Sequence, residues 1–149
     1  MTKAAFPNMT RVEDIMSREL VMLRHDQTSE EAAEVLVREQ IGGAPVFCGD
    51  KLVGVVSKGD LLGAERGGDT RIEHLMTKAV YAVRPTDPAI LAVQLIVDEG
   101  LHRVLVVDEN KRLIGIVTPV DVCKAVRAEK PLSYSSRDAV HLSYTDLRG

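Results

Sequence analysis

A strand that runs into a helix occurs twice in this chain, and no other feature constrains the fold as much. Gly54-Val55-Val56-Ser57-Lys58-Gly59-Asp60 returns as Gly115-Ile116-Val117-Thr118-Pro119-Val120-Asp121, 61 residues later. Val12-Glu13-Asp14-Ile15-Met16 returns as Ile72-Glu73-His74-Leu75-Met76, and Ala44-Pro45-Val46-Phe47 as Val104-Leu105-Val106-Val107, both 60 residues later. One extra residue in the second hairpin turn accounts for the step. A period this long marks a duplicated supersecondary unit. Two copies about a pseudo-twofold axis carry two equivalent clefts. Each copy alone buries little surface, so the copies are expected to share a core.

The periodicity gives each copy the order strand-helix-strand-strand-helix, an α/β (α+β) fold. In the first copy Leu20–Leu23 suits a strand. Thr28 with Glu31 forms a capping box before the apolar stripe Ala32, Ala33, Leu36, Val37, and Gly42-Gly43 is the expected stop. Ala44–Cys48 and Leu52–Val56 read as a hairpin around Gly49-Asp50-Lys51, followed by a short helix from Lys58. In the second copy the strand is Val80–Val83. Asp87-Pro88 is expected to cap a helix with Pro at its first position, and Gly100 to end it. Val104–Val107 and Leu113–Val117 are strands, and a last helix runs from Pro119 to Ala128. The boundaries expected are a lead-in at 1–10, repeats at 11–64 and 71–128, a linker at 65–70 with Gly67-Gly68, and a polar tail at 129–149. The tail carries Tyr134, Leu142 and Tyr144. It reads as disordered, or as a segment that packs on a partner subunit.

Composition narrows the class. Hydrophobic residues make up 45% and charged residues 28% of the chain, as in a soluble globular protein. Aromatics are only 3%, so the core must be built from Val, Ile, Leu, Ala and Met, with Met9, Met16, Met22 and Met76 expected as gap-filling core residues. A net charge of −3 and the absence of an aromatic-basic platform argue against nucleic acid as a partner. No stretch approaches a membrane span or a signal-peptide core, and Cys48 and Cys123 form no CxxC pair, so free thiols and a cytoplasmic location are expected.

Chemistry is concentrated where each strand enters its helix. There a Ser or Thr stands three residues before an Asp: Ser57…Asp60 and Thr118…Asp121. A helix N-terminus attracts phosphate, and an N-cap hydroxyl adds a donor. The carboxylate is acceptor-only, which suits the paired hydroxyls of a ribose. Both segments have a second reading as capping boxes, in which the Asp serves its own helix. Recurrence at equivalent places favours the nucleotide reading, as does Asp where the longer Glu caps more easily.

These residues resemble the cystathionine-β-synthase-type (CBS) domain family. The resemblance covers about residues 11–128 and rests on Val12–Met16, on His102-Arg103-Val104-Leu105-Val106-Val107-Asp108, and on both Gly-x-x-Ser/Thr-x-x-Asp segments. It implies a Bateman module, a tandem pair that senses adenosine ligands in clefts between its repeats and often forms a homodimer. It implies that Asp60 and Asp121 bind ribose and that Ser57 and Thr118 contact phosphate or ribose. Chain near Leu20-Val21 and Val80-Tyr81 would line the adenine pockets. AMP and ATP are the first candidate ligands, with ADP, NAD(H) and S-adenosylmethionine behind them. The sequence departs from the pattern in two places. Gly42-Gly43 stands where the second copy has His102-Arg103, and Cys48 stands where it has Asp108.

Two cations have alternative roles. Lys58 either neutralises a phosphate or is a solvated first-turn lysine. Arg103 either reaches a phosphate or pairs with Glu99. His25, His74, His102 and His141 lack metal-ligand spacing, and no nucleophile elbow or phosphate-loop signature occurs. The expectation is therefore a regulatory binding module with no catalytic or metal site, signalling to a protein partner. A ligand-free dimerisation scaffold is the alternative, and a small nucleotide-acting enzyme a distant third.

Overall fold

The computed structural model describes residues 9–65, 69–79, 81–132 and 144–148. The chain forms two compact units, and they are not two contiguous halves. Unit 2 is Leu20–Ala79; unit 1 combines Met1–Glu19 with Val80–Gly149.

Unit 2 contains β1 (Leu23–Arg24), α1 (Ser29–Arg38), β2 (Gly43–Cys48), β3 (Lys51–Ser57), α2 (Lys58–Leu61), a 3-10 turn at Ile72–His74 and β4 (Thr77–Lys78). Its sheet has the order β1-β2-β3-β4, with β1 and β2 parallel and the other neighbours antiparallel. Unit 1 contains a 3-10 turn at Val12–Asp14, β5 (Tyr81–Val83), α3 (Ala89–Asp98), β6 (Val104–Val107), β7 (Leu113–Val117), α4 (Pro119–Arg127) and β8 (Thr145–Asp146). Its sheet order is β7-β6-β5-β8, with only β5 and β6 parallel. The fold class is thus the expected α/β one, in two four-stranded sheets.

Each unit has its own core. In unit 2 Leu23, Ala32, Leu36, Ala44, Val46, Val56 and Ile72 form one buried cluster. In unit 1 Val12, Val83, Leu91, Ala92, Leu95, Val104, Val106 and Val117 form the other. β6 is buried at all four positions, as a strand covered on both faces must be, and its sequence is accordingly an unbroken apolar run.

The 3-10 turns explain the split into units. The turn that opens the first repeat packs with the second repeat, and the reverse also holds. Val12 N–H donates to the Asp87 carbonyl at 2.9 Å, and Ile72 N–H donates to the Gln27 carbonyl at 2.9 Å. Arg11 Nη1 donates to the Thr86 carbonyl at 2.6 Å; Arg71 Nη1 donates to the Asp26 carbonyl at 3.1 Å. Beyond each turn the chain crosses a strand at its glycine. A Cβ on Gly54 would lie 2.7 Å from both Met76 Sδ and the Thr77 carbonyl oxygen. A Cβ on Gly115 would lie 2.7 Å from Met16 Sδ and 3.1 Å from the Ser17 carbonyl oxygen. The crossing segment therefore leaves no room for a side chain at Gly54 and little at Gly115.

Several expectations need correction. α1 ends at Arg38, not at Gly42-Gly43: Glu39 is its C-cap, Gln40 takes the left-handed conformation (φ 55°), and Gly43 already belongs to β2. The strand expected at Leu20–Leu23 is β1 at Leu23–Arg24, which leaves Leu20 and Val21 in the chain leading into it. Pro88 is the N-cap of α3 rather than its first residue, and the Asp87 side chain accepts from Arg84 N–H at 2.8 Å instead of capping the helix. Met22 is exposed rather than part of the core. The last residues of the tail correct the reading most: Thr145 and Asp146 pair with β5 of their own chain. The tail's Tyr134 and Leu142 lie outside the described residues.

Candidate functional site

In unit 2 the functional candidates follow from how β3 stops. Ser57 keeps an extended backbone (φ −113°, ψ 166°) while the next residues turn into α2. Asp60 N–H donates to Ser57 Oγ at 3.1 Å, and Ser57 N–H donates to Asp60 Oδ2 at 2.8 Å. In unit 1 the same box recurs. Thr118 N–H and Thr118 Oγ1 donate to Asp121 Oδ2 at 2.8 and 3.1 Å, and Asp121 N–H lies 3.4 Å from Thr118 Oγ1. Both segments are thus capping boxes, the plainer of the two readings open on the sequence. The boxes use Oδ2 alone. The other oxygen of each half-buried carboxylate is not part of its cap, so a cap and an acceptor for hydroxyls are compatible in one side chain.

Register brings the other candidates to the same end of each sheet. Gly43 pairs with Ser57, and β1 runs parallel to β2 with Leu23 opposite Val46. Leu20 and Val21 precede β1, and because β1 runs parallel to β2 they lead in from the side of Gly43, the partner of Ser57. In unit 1 Ala82 is opposite Leu105 and Val104 is opposite Val117, so Tyr81 stands level with Val104, one residue from Arg103 and across from the start of the Thr118–Asp121 box. Leu20, Val21, Tyr81 and Arg103 are all half-buried there, and Val80 lies outside the described residues.

Lys58 and Pro119 make the two boxes unequal. Lys58 adds an exposed cation in unit 2. Its backbone N–H donates to the Gly42 carbonyl at 2.9 Å, so it is no spare donor for a ligand. Pro119 has no N–H to make the corresponding bond.

Tyr81 has a neighbour that the repeat pattern does not reveal. Tyr144 stands edge-on to it, with ring centroids 4.7 Å apart and planes at 83°. The Glu99 carboxylate, ahead of burial and Tyr144, pushes the Tyr81 hydroxyl above its ordinary pKa. The sequence signal was an isolated aromatic in a polar tail, in a chain with few aromatics. Among the described residues no cluster of three His, Cys, Asp or Glu could hold a metal ion, and no helix is long and apolar enough to cross a membrane.

Comparison with known proteins places these features. The CBS domain family model matches residues 12–67 and again 72–128. The CBS domain pair of protein MJ0100, solved with 5′-methylthioadenosine and S-adenosyl-L-methionine, is 28% identical with a TM-score of 0.74, over 82% of this chain and 99% of that one. CBSX2 of Arabidopsis thaliana, solved with AMP, is 30% identical with a TM-score of 0.71, over 80% and 97%. A homoserine O-acetyltransferase of Methanohalobium evestigatum is 30% identical over 81% of this chain but only 25% of its own length. An uncharacterised protein of Methanocaldococcus jannaschii, MJ1232, is 27% identical over 88% of this chain and 44% of its own. The chain thus spans less than half of the curated relatives it matches.

Proposed function

Because the chain belongs to the CBS domain family, we propose that it is a regulatory module that binds an adenosine-containing ligand in each unit and passes the binding state to a protein partner. The observation that carries this reading is the matched pair of Asp boxes. Each sits at one end of a sheet, spends one carboxylate oxygen on its cap, and leaves the other for ribose. Ser57 and Thr118 contact phosphate or ribose, and Leu20, Val21, Val80 and Tyr81 line the adenine. Lys58 and Arg103 stand near the phosphates. The adenosine ligands of the MJ0100 pair and of CBSX2 support the ligand class. AMP and ATP are the first candidates here.

A thermal-shift series with AMP, ADP, ATP, NAD(H) and S-adenosylmethionine tests the reading. A ligand at 100 times its Kd adds about 2.7 kcal/mol, a melting shift of several degrees for a chain of this size. Flat curves at millimolar ligand favour a ligand-free scaffold. That second reading draws on the boxes too, since both are complete as caps without a ligand.

A further inference from the structure

We propose that the C-terminal strand is a working part of the unit 1 ligand site, with Tyr144 acting as a positioning residue that holds Tyr81 in place for the ligand. The proposal rests on the adenosine reading above and names a residue outside both repeats. β8 lies along the outer edge of β5, and Asp146 stands opposite Tyr81. Tyr144 and Asp146 are two residues apart in an extended segment, so their side chains share the face on which Tyr81 stands. Tyr144 meets the Tyr81 ring edge-on at 4.7 Å, a favoured aromatic geometry. Arg148 closes the segment: its backbone N–H and Nε donate to Asp146 Oδ1 at 2.8 and 3.1 Å, and its Nη2 donates to Oδ2 at 2.9 Å. Tyr81 is level with the start of the Thr118–Asp121 box, so the strand braces the end of the sheet where the site is read.

A pairing of two residues is a small one, and the aromatic contact supplies much of what holds it. Docking of β8 is therefore easily shifted. A ligand that touches Tyr81 favours the docked strand, and by linkage the docked strand favours the ligand. Among the described residues the corresponding edge of unit 2, at β1, has no such strand beside it. The two sites thus differ in what the C-terminus does for them.

The test uses AMP as the probe, on a background carrying Asp60→Asn so that calorimetry reads unit 1. Four chains are compared: full length, Tyr144→Phe, Tyr144→Ala, and one ending at residue 143. Tyr144→Ala and the shortened chain should bind AMP about two- to tenfold more weakly, the range expected from losing one aromatic pair. Tyr144→Phe should bind as the full-length chain does. AMP should also slow hydrogen exchange of the β5 and β8 amides in the full-length chain. Melting curves confirm that each variant is folded. Equal affinities with AMP-independent exchange would overturn the proposal, and so would tighter binding on shortening, which would make the strand an obstruction. No AMP binding by the unmodified protein sinks the adenosine reading itself, and the proposal with it.

Discussion

A single methyl group at Gly54 meets backbone on one side and sulfur on the other, whereas at Gly115 the nearest obstacle is a movable methionine. The Thr77 oxygen stands 2.7 Å from the added Cβ at Gly54, against 3.1 Å for the Ser17 oxygen at Gly115. Met16 can rotate away; a strand-pairing carbonyl cannot. Gly54→Ala should therefore cost about 1–3 kcal/mol, and Gly115→Ala distinctly less. Equal losses in melting temperature would show that the crossing segments yield alike in both units. Asp121 has a cap role and a proposed ligand role, and Asp121→Asn separates them. The amide keeps an acceptor for Thr118 N–H but turns the other oxygen into a donor. AMP affinity at that site should fall about tenfold or more, as for a lost hydrogen bond to a charged group, while the melting point moves little. Unchanged affinity would leave Asp121 as a cap alone.

At the scale of elements, the segment holding Ile72–His74 is fastened to the first repeat by more than backbone bonds. His25 Nδ1 and Glu73 Oε2 are 3.0 Å apart, and the His25 hydrogen bond holds the Glu73 carboxyl below its ordinary pKa of 4.5. A carboxylate with a lowered pKa adds stability that is complete above the ordinary value and is lost as pH falls through the folded-state value. Unit 2 should thus weaken more steeply below pH 4.5 than a Glu73→Gln variant does. Parallel acid-melting profiles for the two would dismiss the latch. Capping chemistry shows how far local sequence reaches. The Thr28–Glu31 box forms as the sequence dictates, with Glu31 N–H donating to Thr28 Oγ1 at 3.2 Å. Asp87 misleads in the second repeat: it stands one residue before Pro88, the counterpart of Thr28. Its carboxylate accepts from Arg84 N–H three residues upstream, as Gln27 accepts from Arg24 N–H.

For the molecule as a whole, apolar side chains remain uncovered on the helices and just beyond them. Leu62, Val120 and Val126 are 88%, 61% and 62% exposed in the single chain. A homodimer, which the family resemblance implies, would bury them against a twofold mate, since large apolar side chains gain most from leaving water. Sedimentation should give twice the 16.3 kDa chain mass at micromolar concentration, and Val126→Glu should shift it toward one chain. A mass of 16.3 kDa for the unmodified protein would refute the dimer.

Sequence alone determined what depends on near neighbours and on strict repetition. The duplicated motif, the unbroken apolar run of β6 and the Ser/Thr–Asp boxes are local patterns whose geometry is settled within a few residues. Tertiary structure alone decided the rest. It sent each 3-10 turn to the other repeat, because Val12 and Ile72 find backbone carbonyl partners there and are themselves fully buried. It took up the Lys58 N–H by setting Gly42 beside it. It also laid Thr145–Asp146 on the edge of β5 and set Tyr144 on Tyr81. A two-residue strand has no period to read, and its partner lies more than 60 residues away, so only the folded chain brings the two tyrosines together.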